Sequence, residues 1–61
     1  MKPREIKEER TRFGLSQAAL ARHIGVRRQT ISDWERGVNA PHQTFVKRLR
    51  EVFAIPDSVE P

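Results

Sequence analysis

An all-α fold, a compact bundle of four to five helices, is what this sequence predicts, and three observations lead there. Apolar residues recur at helical spacing in four stretches. Glycines stand just past the end of three of them, at Gly14, Gly25 and Gly37, and a proline stands past the fourth, at Pro56. There is no repeat, no low-complexity tract and no alternating apolar–polar run long enough for a strand. With 61 residues the chain is read as one small domain, spanning 1–56 with a tail at 57–61. A domain of that size buries only about 60% of its unfolded surface, so each apolar residue counts.

The first helix is expected to open at Pro3, whose fixed φ suits the first helical position, and to carry Ile6, Arg10 and Phe13 on one stripe. Gly14 ends it in the left-handed conformation, with Leu15 as the apolar residue of that cap. Ser16 then caps a second helix, and Leu15 and Leu20 bracket its first turn as a hydrophobic staple. Gly25 closes this helix after Ile24. The third runs from Arg27 or Arg28 to Arg36, with Ile31 and Trp34 facing inward, and stops at Gly37. After the loop Gly37-Val38-Asn39-Ala40 and Pro41, a last helix carries the stripe Phe45, Val46, Leu49, Val52 and Phe53 as far as Pro56. Residues 57–61 form a frayed turn or the stub of a fifth helix. Trp34 and the three phenylalanines are assigned to the core.

Composition removes several classes of function. Without cysteine there are no disulfides or thiolate metal sites, and a reducing, cytoplasmic setting fits. No apolar run approaches the ~18 residues of a membrane span, and the charged N-terminus is no signal peptide. His23 and His42 share no ligand spacing, so no metal is expected, and no cofactor. Neither a catalytic triad nor a glycine-rich phosphate loop can be assembled, and a pocket of ~300 Å³ would consume so small a core; no enzyme is expected. The net charge is +4, and the pI is near 10.7. Residues 16–50 hold seven bases (Arg22, Arg27, Arg28, Arg36, Lys47, Arg48, Arg50) against Asp33 and Glu35, while residues 51–61 hold only acids. A cationic middle of this kind favours a polyanionic partner.

Counted from Gln17, seven positions meet the steric needs of two short helices crossing at a tight turn. Leu20, Ile24, Val26, Ile31 and Trp34 are apolar, Ala21 is small at the crossing, and Gly25 makes the turn. On these residues the sequence resembles the phage repressor and Cro type of helix-turn-helix protein, also called the XRE family. The stretches Leu15-Ser16-Gln17-Ala18-Ala19-Leu20-Ala21, Thr30-Ile31-Ser32-Asp33-Trp34-Glu35-Arg36-Gly37 and Pro41 through Ile55 follow its pattern, so the likeness covers about residues 3–56. The resemblance implies a lambda-repressor-like domain that sets its third helix in the major groove of double-stranded DNA. It further implies a dimer on a palindromic operator and a transcriptional regulator, most simply a repressor.

With Ile31 and Trp34 inward, Arg28, Gln29, Ser32, Asp33 and Arg36 turn outward or to the flanks. Arg28 and Gln29 match the positions from which the family reads bases; Arg bonds two guanine acceptors, and Gln matches adenine. Ser32 and Asp33 are assigned with them. Asp33 accepts from a cytosine amino group, pairs with Arg36, or orients Arg28 or Gln29. Val26 or Arg27 stands at the cap of the third helix, where neither can accept from the open N–H groups, and Arg27 and Arg28 oppose the helix dipole. A DNA phosphate there would relieve both conflicts. Gln17 matches a family position whose amide contacts the backbone, with Ser16 beside it. Arg36, Asn39, His42 and Gln43, with Thr44, are assigned to the flanking phosphates; Lys47 and Arg48 are either further phosphate contacts or a solvated face. Arg10 would sit as a charge on an apolar stripe, and the resemblance pairs it with Glu35 in a structural ion pair.

Two rival functions remain at the level of sequence. One is an antitoxin that also represses its own operon, with a toxin partner. The other is a protein-interaction module that has lost DNA binding, which the basic outer face of the third helix opposes. Pairing through Phe53, Ile55 or Val59 is expected to be weak, giving a homodimer formed on DNA with half-sites about one helical turn apart. A bacterial or phage-encoded protein acting at the nucleoid is the expected setting.

Overall fold

The computed structural model describes residues 1–54, in which four helices follow one another: α1 (Pro3–Arg12), α2 (Gln17–Ile24), α3 (Arg28–Arg36) and α4 (Gln43–Val52). No strand occurs among the described residues. The domain boundary at 56, the tail at 57–61, and Ile55, Pro56 and Val59 lie outside them.

Local chemistry accounts for each boundary. At the start of α1, the Glu5 carboxylate accepts from the Lys2 backbone N–H at 2.8 Å, and Pro3 occupies the first turn. Beyond Arg12 the chain reverses at Gly14 (φ +70), where the Leu15 N–H donates to the Arg10 carbonyl and the Gly14 N–H to the Thr11 carbonyl. This pairing satisfies carbonyls that the helix end would otherwise leave open. Ser16 Oγ caps α2 by accepting from the Ala19 N–H at 3.0 Å. At Gly25 φ is +90, a conformation that costs an L side chain about 1–2 kcal/mol, and the N–H groups of Gly25 and Val26 both reach the Ala21 carbonyl.

The core comprises Ile6, Leu20, Ala21, Ile24, Ile31, Trp34, Leu49 and Phe53, with Met1, Leu15, Val26, Phe45 and Val52 packed partly buried against it. Helix α2 packs chiefly on α3, α3 also on α1, and α4 on α2. Each fully buried large aliphatic side chain contributes about 1.5–3 kcal/mol. The apolar faces of α2 and α3 are therefore used up in packing on each other and on α1 and α4. What remains on the far side of α3 is polar.

Three expectations need correction. Phe13 is not a core residue: it is 45% exposed, standing one position past the last helical residue, with its ring leaning on Phe53 at 5.9 Å between centroids. Conversely, Phe53 is buried and is not a pairing surface. Helix α4 ends at Val52 rather than running on towards Pro56, because Phe53 caps it and Ala54 takes a left-handed turn at φ +58.

Candidate nucleic-acid interface

Helix α3 presents two unlike sides. Ile31 and Trp34 are buried, and the Trp34 ring meets Phe45 at 5.7 Å. Arg27, Arg28, Gln29 and Arg36 are exposed, with Ser32 and Asp33 half-buried at the margin. Since Ile31 and Trp34 lie one turn apart on one side, helical geometry sends Gln29 and Ser32 to the other and Arg28, three residues before Ile31, to the flank, where it is exposed. The structure thus brings the four residues assigned to base reading, Arg28, Gln29, Ser32 and Asp33, onto one short helix.

Arg27 precedes α3 with extended backbone and makes no side-chain cap. The first turn of α3 therefore keeps open N–H groups beside two guanidinium-bearing residues, Arg27 and Arg28. Such an end favours an anion through both its donors and its dipole.

Asp33 is tied up within the helix. Its Oδ1 accepts from Gln29 Nε2 at 3.0 Å and from Arg36 Nη2 at 2.6 Å. The hydrogen bond from Gln29, the one from Arg36 and the Arg36 charge together hold its carboxyl below the ordinary 3.8. The pair cancels one negative and one positive charge, so Arg27 and Arg28 carry the positive balance of this edge. The other acid of α3, Glu35, is withdrawn from it.

Glu35 faces α1. Arg10 Nε donates to Glu35 Oε2 at 2.6 Å and Arg10 Nη2 to Glu35 Oε1 at 3.2 Å, with side chains only 14% and 5% exposed. Arg10 Nη1 also donates to the Leu15 carbonyl at 2.9 Å, and Gln17 Nε2 to Glu35 Oε1 at 3.1 Å. These bonds tie the end of α1, the turn before α2 and the end of α3 into one polar knot. Gln17 thus has a structural duty besides the phosphate contact expected of it: one of its two amide hydrogens is spent on Glu35.

Other assigned side chains have structural duties that spacing did not reveal. Ser16 uses its oxygen as the α2 cap, leaving its hydroxyl hydrogen free to donate. His42 is the N-cap of α4: its Nδ1 accepts from the Thr44 N–H at 3.2 Å. Arg48 is more than a solvated side chain: its Nη1 donates to the Ile24 carbonyl at 2.9 Å, closing the end of α2 where the dipole favours a cation. Asn39, Gln43 and Lys47 are exposed on the loop and α4. Among the described residues no group of His, Asp or Glu is arranged to hold a metal ion, and no helix is long and apolar enough to cross a membrane.

A family model described as helix-turn-helix matches residues 6–58. The chain belongs to the helix-turn-helix family. A relative in Archaeoglobus fulgidus, named an uncharacterized HTH-type transcriptional regulator, is 40% identical over 48 residues, which is 79% of this chain and 68% of the relative. YgzD of Bacillus subtilis, also named an uncharacterized HTH-type transcriptional regulator, is 35% identical over 51 residues, covering 84% of this chain and 77% of YgzD. Against a longer protein of Methanoculleus marisnigri, named as an HTH-type transcriptional regulatory protein, the identity is 41% over 51 residues, but this helix-turn-helix chain spans only 16% of that relative. No solved structure gives a match to it. In this helix-turn-helix chain α2 and α3 are the paired helices, joined through Gly25, and the polar knot around Glu35 fixes α1 against them.

Proposed function

We propose that this chain is a sequence-specific binder of double-stranded DNA that regulates transcription, most simply as a repressor, with α3 in the major groove. The observation that carries the reading is the start of α3: Arg27, Arg28 and Gln29 are exposed at the leading end of a helix that Ile31 and Trp34 anchor to the core. A rigid, cationic, hydrogen-bonding rod of this kind suits a groove about 12 Å wide that admits one helix. Arg28 and Gln29 read base edges, Ser32 supports them, and Arg27 with the open N–H groups of α3 takes a phosphate. Gln17, through its remaining amide hydrogen, and Ser16 contact the same strand. Arg36, Asn39, Gln43 and His42 lie along the flanking backbone. The names of the relatives agree with a regulatory role.

The protein pairs weakly and on DNA. With Phe53 buried, the large apolar side chains left exposed among the described residues are Val38, 60% exposed in the loop after α3, and Phe13, 45% exposed after α1. Equilibrium sedimentation with and without operator tests this, and a tight dimer in the absence of DNA refutes it.

Selection of bound sites from random duplexes at two salt concentrations tests the function itself. The expected result is an inverted repeat whose binding weakens with salt, each phosphate contact adding about 0.9 to the logarithmic slope. Replacing Arg28 or Gln29 by alanine should relax one base position by about 1–3 kcal/mol. Recovery of no motif, or a preference for single strands, overturns the reading.

A further inference from the structure

An acid on the reading edge of a DNA-binding helix is repelled by phosphate, and the contacts of Asp33 suggest what it does there. Its Oδ1 accepts from Gln29 Nε2 one turn earlier and from Arg36 Nη2 three residues later. An ionised carboxylate only accepts hydrogen bonds. Gln29 must therefore turn its amide nitrogen, never its oxygen, towards Asp33. The bonds that hold the Asp33 carboxyl below its ordinary range keep it ionised at neutral pH. Arg36, on the same oxygen, restrains the carboxylate in turn.

We propose that Asp33 is a positioning residue that locks the Gln29 amide in one of its two orientations and thereby restricts Gln29 to adenine. This rests on the reading that α3 meets base edges in the major groove. With one Nε2 hydrogen committed to Asp33, Gln29 has one donor and one acceptor left, the second Nε2 hydrogen and Oε1. Adenine offers the complement, an acceptor at N7 and a donor at N6. Guanine offers two acceptors, N7 and O6, which sets Oε1 against O6 and leaves both unpaired in a desolvated interface. An amide free of Asp33 turns over and gives both its hydrogens to guanine, so it discriminates poorly. Asp33 itself touches no base.

Selection with the wild-type protein, repeated with Gln29→Ala, identifies the base pair that Gln29 reads. Equilibrium binding then compares adenine with guanine at that position in otherwise identical duplexes, for the wild type and for Asp33→Ala. The wild type should favour adenine by about tenfold or more, the discrimination of one bidentate contact. Asp33→Ala should bring that ratio below about threefold while discrimination at the other positions persists. The isosteric Asp33→Asn, whose own amide turns either way, should show the same loss and serves if the alanine variant does not fold. Retention of the tenfold ratio overturns the proposal. So does a loss that falls on a different base pair, which would make Asp33 a base reader in its own right. A selected motif that depends on Gln29 but not on Asp33 removes only this proposal; a wild type that selects no motif removes the groove reading and the proposal with it.

Discussion

Breaking the Arg10–Glu35 pair from one side should cost the domain a large share of its stability, whereas replacing both partners should not. Glu35→Ala strips Arg10, whose side chain is 14% exposed in the intact pair, of its counter-charge and leaves it the Leu15 carbonyl as acceptor. It also strips Gln17 Nε2 of its acceptor. Removing one partner of a buried ion pair costs about 3–5 kcal/mol. A domain of 61 residues has a total stability of about 3–9 kcal/mol at the usual yield per residue. The single variant should thus lose between about a third of its stability and all of it. Arg10→Met with Glu35→Leu removes both charges and fills the space with apolar atoms, and should lie within about 1 kcal/mol of the wild type or above it. Urea unfolding followed by Trp34 fluorescence and far-ultraviolet circular dichroism measures both. A Glu35→Ala loss under about 1 kcal/mol, or a double variant as unstable as the single, would refute the view that desolvation of an unpaired charge dominates here.

Three further predictions follow the same physics. Gly25→Ala should destabilise by about 1–2 kcal/mol through backbone strain alone, since the added Cβ would meet Arg48 Nη1 at an ordinary 3.6 Å; Ala54→Gly, at φ +58, should stabilise by about 1 kcal/mol, and thermal unfolding compares the two. Arg27→Ser should raise stability by about 0.5–2 kcal/mol by supplying the missing cap of α3, yet weaken DNA binding and reduce its salt slope by about 0.9; unchanged affinity and slope would remove Arg27 from the phosphate contacts. Asp33 should titrate below 3.8 by carboxyl NMR, because the Gln29 and Arg36 bonds favour its ionised form. With the folded value lowered, the unfolded chain takes up the proton first, so the stabilisation is present above 3.8 and disappears as pH falls through the folded value. A midpoint at or above 3.8 would contradict these bonds.

The helices and most of their limits were legible because the devices that set them are local; the end of α4, expected at Pro56 and found at Val52, was not. Gly14, Gly25 and Ser16 act within one turn of chain, so their spacing in the sequence is their spacing in space. Burial of Ile31 and Trp34 follows from helical periodicity, and with it the outward direction of Arg28 and Gln29. Resemblance to a family suggested the partner of Arg10, which spacing alone does not name.

Packing decided the rest. Gln17 bonding to Glu35, Arg48 reaching the Ile24 carbonyl, and Phe13 left half in water against a buried Phe53 depend on how far a side chain extends across neighbouring helices. The sequence by itself determined which residues form each helix and which side of it is apolar, because hydrogen bonds and capping along the chain are short-ranged. Only the tertiary structure decided which polar side chains are consumed in holding the helices together and which remain free at the surface. That choice turns on distances between elements that no interval along the chain encodes.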